Sequence, residues 1–399
     1  MTSQVNYLLS PTAIRERCQQ VYDFNVEGRG SFILNFDKWE TVINYVLKTI
    51  ESNYPTLNIP FHSRLGHFRA GGVDRLVWSE LDMQTLSPIE KVKRLVDLVI
   101  PSVLLDAGAG DDWKFNEEKT GQTITRSEGL GVASYYMFVG GGLSSQKKIE
   151  TDAQGLLSLT EKDIIKAFQV SEKNPLVGVQ GRLNLLKSLG RVIQSQPEVF
   201  PNQRPSDLVE RFKLNAQVDA LLVLRTLLIH LGEIWPSRIV LDGAPLGDTW
   251  SLPLLGPKNS FESLVPFHKL SQWLSYSLLD CCVQAGLPVI NVEKLTGLPE
   301  YRNGGLFLDL GLIEFRDPNF LTCGLSAEMP ETIEWRALTV ILLDHLAEKI
   351  QKKLGQKPQD FPLAKVLEGG SWWAGRRIAA EKRPGGVPPL KIISDGTVF

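Results

Sequence analysis

The chain is poor in the residues that staple or metallate a fold. Its four cysteines include the adjacent pair Cys281 and Cys282 and form no C-x-x-C, so all four are expected as reduced thiols. Of the five histidines only His62 and His67 lie close together, and their spacing suits no metal, so neither metal nor other cofactor is expected. No apolar run approaches the ~18 residues of a membrane span. A net charge of −2 leaves no basic excess for a nucleic-acid surface. The polar start MTSQVN lacks the charged lead and apolar core of a secretory signal, which points to a cytoplasmic protein. A G-x-S-x-G elbow is missing too, so nothing argues for a serine nucleophile.

What the chain has is helical periodicity and glycine. Its 399 residues, 43% hydrophobic, bury a large core without staples. Two helical patterns over 11–53 flank VEGRGSFILNF, read as a turn and a short extended piece. Ser87 caps a helix with Pro88 at its first position, and Pro101 is expected to end it. Thr160 and Asp163 start another helix as a capping-box variant, and a longer one follows near 177–194. A long apolar helix is expected over 207–235, and Pro266 opens the next. Segment 294–313 carries five Gly or Pro residues and is expected as short turns. Pro330 starts a strong helix stopped by Gly355 and apolar on nearly every side from Ala337 to Leu343, the mark of burial mid-protein. The tail from Gly369, rich in tryptophan, arginine and proline, is expected to be docked.

The stretch VLLDAGAGDDW (103–113) invites a nucleotide-loop reading. A doubly wound sheet requires strands alternating with helices. Here only 239–242 and 289–292 are candidate strands, so the fold class is mainly α: a multi-helical domain with a few short strands and long glycine-rich connectors. One domain over 1–399 is expected, with possible subdivisions 1–102, 103–346 and 347–399.

Carboxylates recur beside aromatics, in places with arginine: Asp111, Asp112 and Trp113; Asp248 and Trp250; Glu300, Tyr301 and Arg302; Glu334, Trp335 and Arg336. Each group alone suits a buried tether. Together they also suit acid–base work, because burial in aromatic surroundings raises a carboxyl pKa. They equally suit cleavage at a sugar anomeric carbon, where a carboxylate stabilises an oxocarbenium-like transition state or activates water.

The 59–75 stretch, the DAGAG loop with RSEGL (126–130), SWWAGR (371–376) and the closing RPGGVPPLKIISDGTVF resemble the uracil catabolism protein 4 family over nearly the whole chain. That resemblance implies a pathway taking uracil through a ribosylated, ring-opened intermediate, in which ribosylurea or its phosphate loses urea. The middle of the chain, about 103–346, is similar to the queuosine salvage glycosylases, helical enzymes that hydrolyse a ribosidic bond. PLVGVQGRLNLLKSLG (175–190), VPFHKLSQWLSYSL (265–278), KLTGLPEYR (294–302) and ETIEWRALTV (331–340) carry the likeness. Glu300 stands where those enzymes have aspartate before Tyr-Arg, and Gly110, Asp111, Asp112 and Trp113 replace their aromatic base-binding segment.

The expectation is an N-ribosyl hydrolase without metal or cofactor, acting on a small ribosyl substrate, with no nucleic-acid or membrane partner. Glu300 and Asp248 are the candidate catalytic carboxylates, one stabilising the cation and the other directing water. Lys269, Arg302 and Arg336 would contact ribose, phosphate or a carboxylate, and Asp111, Asp112 and Trp113 the urea end. Glu334, Trp250 and His67 complete the candidate binding residues. The alternatives are a non-catalytic carrier of the intermediate and an amidohydrolase acting on its urea moiety. No feature sets an oligomeric state.

Overall fold

The 25-residue helix Pro330–Leu354 has proline in its first turn and ends where Gly355 turns left-handed at φ 65°. Ala337, Leu338, Val340, Ile341, Leu342 and Leu343 are all buried, so the helix is covered on every side, as its sequence requires. It packs against the helix Pro11–Val26, whose Ile14, Cys18 and Val21 join Ile333, Ala337, Val340 and Ile341 in one core cluster. Burying each such aliphatic side chain contributes roughly 1.5–3 kcal/mol. The cluster is closed by Trp250 and Val265 of the antiparallel strands Thr249–Ser251 and Leu264–Pro266 and by Leu252 and Phe267, which directly follow them.

This computed structural model describes residues 1–77, 81–106, 108–110, 112–214, 216–235 and 239–393. The fold is mainly α, and no described strand exceeds four residues. The chain forms two compact units, each discontinuous in sequence. The first comprises Met1–His62, Ser237–Trp273 and Asn291–Phe399, and the second Ser63–Pro236 and Leu274–Ile290. In the first, strand Lys391–Ile393 of the tail runs parallel to Gly324–Ser326, so the tail is docked by backbone pairing. The expected extended piece is strand Phe32–Leu34, antiparallel to Ile313–Phe315.

Three expectations are corrected. Segment 294–313 is not all turns: Tyr301–Asp309 is a helix, capped by Glu300. Its Gly304 is a packing glycine, since a Cβ there would lie 2.6 Å from the Trp335 ring. Segment 207–235 is not one helix. A 3-10 turn and the strands Lys213–Leu214 and Gln217–Asp219 precede a helix confined to Ala220–His230, restarted by the Asp219 side chain accepting from Leu221 N at 2.8 Å. Pro236 lies outside the described residues.

Pro101 does not end its helix, which runs Pro88–Leu104 behind the Ser87–Glu90 capping box. A proline there has no N–H for the carbonyl four residues back. That carbonyl, of Asp97, accepts instead from the buried Thr151 hydroxyl at 2.7 Å, both residues belonging to the second unit. Thr151→Val is therefore expected to destabilise the protein by about 1–3 kcal/mol, the cost of an orphaned buried acceptor. Thr151→Ser should stay near wild type; urea unfolding of the two variants checks this.

Candidate active site

The first unit gathers most of the candidate chemistry. Asp248 follows Gly247, which turns at φ 56°, and leads into the strand Thr249–Ser251. Its carboxylate accepts two parallel bonds from Arg336, at 2.8 and 2.7 Å, on the first turns of the Pro330–Leu354 helix. It also accepts from the Trp250 indole at 2.7 Å and from the backbone N–H of Lys269 at 3.0 Å. Arg336 is fully buried, its guanidinium 4.1 Å from the centre of the Phe267 ring. Burial alone would raise the Asp248 pKa, but the Arg336 charge and these donors hold it well below the usual carboxylate range.

Glu300 is the opposite case. It is 8% exposed and caps the Tyr301–Asp309 helix, accepting from the N–H groups of Arg302 at 2.8 Å and Asn303 at 2.6 Å. Burial raises its pKa above the ordinary value, against those N–H groups and the nearby charges of Lys269 and His62. A buried carboxyl with a raised pKa is a better base than a solvated one.

Beside this helix lies a π-helical turn, Leu367–Ser371, a geometry frequent at functional sites. Its two glycines admit close neighbours: a Cβ at Gly369 would lie 2.5 Å from Ile59 and one at Gly370 2.7 Å from Val46. Ser371 donates to the Asn303 side chain at 2.8 Å, tying the turn to the helix that Glu300 caps. Glu368 on the turn accepts from His62 Nδ1 at 2.7 Å and from the Tyr54 hydroxyl at 3.1 Å. Sequence reasoning passed over Glu368 and Tyr54, although His62 and SWWAGR had both drawn notice.

Other candidates make contacts within the fold. Glu334 accepts from Ser31 and Asn25 through both its oxygens at 2.8–3.0 Å and so tethers the 25–31 turn. Trp250 is 5% exposed and spends its indole on Asp248. Arg302 reaches the Gly386 carbonyl at 3.0 Å and so holds the tail. In the second unit Trp113 is fully buried and donates to the Phe168 carbonyl at 2.9 Å, which places it in that unit's core. Asp112 is exposed, and His67 Nδ1 accepts from Arg64 at 2.8 Å. The glycine stretch is held from beneath by buried Arg182, which donates to the carbonyls of Leu105 at 2.9 Å and Gly108 at 3.2 Å. Asp111 lies outside the described residues. Among those residues no group of three or more His, Cys, Asp or Glu side chains is arranged to hold a metal.

Arg336→Met would leave Asp248 without its counter-charge, and stability is expected to fall by about 3–5 kcal/mol. Asp248 binds its proton less tightly folded than unfolded. Its contribution is therefore complete above the unfolded pKa near 3.8 and fades as pH falls toward the depressed folded value. Denaturant unfolding on the acid side should accordingly show a steeper loss of stability in wild type than in Asp248→Asn.

Residues 7–399 match a family described as "Protein of unknown function (DUF1688)". Uracil catabolism protein 4 of Lachancea kluyveri is 39% identical over 437 aligned positions, covering 99% of both chains. Protein urg3 of Schizosaccharomyces pombe is 40% identical over 417 positions, covering all of both. Matched from Gln4's third neighbour onward and nearly end to end with both relatives, the chain belongs to the DUF1688 family.

Proposed function

We propose that this chain acts in uracil catabolism as an N-ribosyl hydrolase, cleaving ribosylurea or its 5′-phosphate to urea and the sugar. The observation that carries the reading is Glu300: a buried carboxyl with a raised pKa, fixed at a helix N-terminus beside Lys269 and His62. Hydrolysis at an anomeric carbon requires a water whose proton is taken as the C–O bond forms. Glu300 suits that task because its charge changes readily, whereas Asp248 is locked in its ionised form by Arg336. Asp248 acts by position, fixing the N–H of Lys269 and with it the start of the helix Lys269–Gln284. The Lys269 ammonium suits a hydroxyl or phosphate of the ribosyl group. The name of the Lachancea relative supports the pathway, and the resemblance of segments 265–278 and 294–302 to ribosidic-bond hydrolases supports the reaction.

The test is release of urea from ribosylurea, with and without the 5′-phosphate, by purified protein. Wild type should turn over at least one of the two. Glu300→Gln should lower kcat by about 10²–10⁴-fold, the usual worth of a positioned acid or base. It should cost only about 1 kcal/mol of stability, since glutamine keeps one acceptor for the cap. Ammonia in place of urea would point to attack on the urea moiety. Tight binding without turnover would make the chain a carrier, and either result ends the hydrolase reading.

A further inference from the structure

Cleaving an N-riboside makes a demand that Glu300 and Asp248 leave unmet. A ureido nitrogen departs very poorly as an anion, so a proton must reach it as the C–N bond breaks. Asp248 is held ionised. Glu300, having taken the proton of the attacking water, cannot in the same step have given one to the nitrogen. The acid has to be a third group.

We infer that His62 protonates the departing nitrogen, with Glu368 and Tyr54 as its positioning residues. The inference rests on the N-ribosyl hydrolase reading above. His62 is 6% exposed and held at its backbone, where its N–H donates to the Ala364 carbonyl at 3.1 Å. Nδ1 is committed to Glu368 at 2.7 Å, while Nε2 meets no hydrogen-bond partner among the described residues. A histidine whose Nδ1–H is fixed on a carboxylate presents Nε2 as the nitrogen that exchanges protons, and the carboxylate stabilises the imidazolium. Glu368 is itself oriented by the Tyr54 hydroxyl at 3.1 Å, which burial and the Glu368 charge keep protonated and therefore donating. The Trp372 ring, 5.5 Å away from the imidazole, walls one side. The turn that carries Glu368 is tied through Ser371 to Asn303 of the helix that Glu300 caps, so acid and base sit on neighbouring elements.

The step balances. Nε2–H of the imidazolium passes its proton to the glycosidic nitrogen as the C1′–N bond breaks, and the bonding pair leaves with urea. Water attacks C1′ and gives its proton to Glu300. Neutral His62 and protonated Glu300 then exchange with solvent and return to their starting states.

The test compares wild type, His62→Gln and Glu368→Gln on ribosylurea and on 4-nitrophenyl β-D-ribofuranoside, whose phenolate leaves without a proton. Absence of urea from wild type would sink the hydrolase reading itself. Given wild-type turnover, His62→Gln should lose about 10²-fold or more in kcat on ribosylurea. KM and melting temperature should change little, and the aryl riboside should lose under about tenfold. A kcat within about fivefold of wild type, or equal losses on both substrates, would overturn the assignment. Glu368→Gln keeps the side-chain shape and serves even where His62→Gln fails to fold. It should lose about tenfold or more in kcat on ribosylurea while the aryl riboside changes little. Equal losses on both substrates count against the pair.

Discussion

Arg336 and Asp248 meet through two parallel hydrogen bonds, and the candidate site is built outward from that pair. Sequestering such charges costs several kcal/mol per ion unless their geometry is nearly ideal. Here the fork of Arg336 matches both carboxylate oxygens, its face lies over Phe267, and the Trp250 indole takes a further lone pair of Asp248. The pair joins the buried Pro330–Leu354 helix to the glycine-rich connector before Thr249. Asp248 also takes the Lys269 N–H, so the first residue of the helix Lys269–Gln284 is placed by the same carboxylate. Lys269 in turn acts on Glu300. One ion pair thus places a charge that acts on a carboxyl of another helix, whose own shift comes mainly from burial.

Much of the fold was legible because local rules and burial agree. The helices Pro11–Val26, Trp39–Asn53 and Pro330–Leu354 follow their apolar periodicity, proline starts and glycine stop. The failures share a cause: a residue that reads as a breaker in isolation was satisfied by something distant in sequence. Pro101 stays helical because Thr151 supplies the missing donor. Gly304 stays helical because Trp335 fills the space where a side chain would stand. Over 207–235 the error ran the other way. A continuous apolar pattern hid Ala216, at φ 66°, and the cap at Asp219, which divide strands from helix.

The site shows the same division. Carboxylate beside aromatic beside arginine led to Asp248, Glu300 and Arg336, and also to Glu334. That signature reports that a carboxylate is buried, and burial alone does not say which donors meet it. Glu334 meets Ser31 and Asn25, more than 300 positions away in sequence, and ties that turn to the long helix. Glu368 meets His62 across 306 positions. Neither pairing leaves a trace in local spacing, so the motif that held Trp372 and Arg376 could be noticed without its acid.

Three carboxylates in one unit meet three different partners, and that difference bears on what each can do. Asp248 faces a guanidinium, which keeps it ionised well below the usual carboxylate range, so its value lies in position. Glu300 faces backbone N–H groups from within a buried setting, which raises its pKa while leaving it able to gain or lose a proton. Glu368 accepts from the His62 imidazole, so the part proposed for it is to orient that ring. Acid–base chemistry near neutral pH requires groups whose environments push their proton affinities apart. For Asp248 and Glu300 that separation comes from a buried arginine beside the one and from burial of the other. The helical scaffold needs only to bring the three counterparts together.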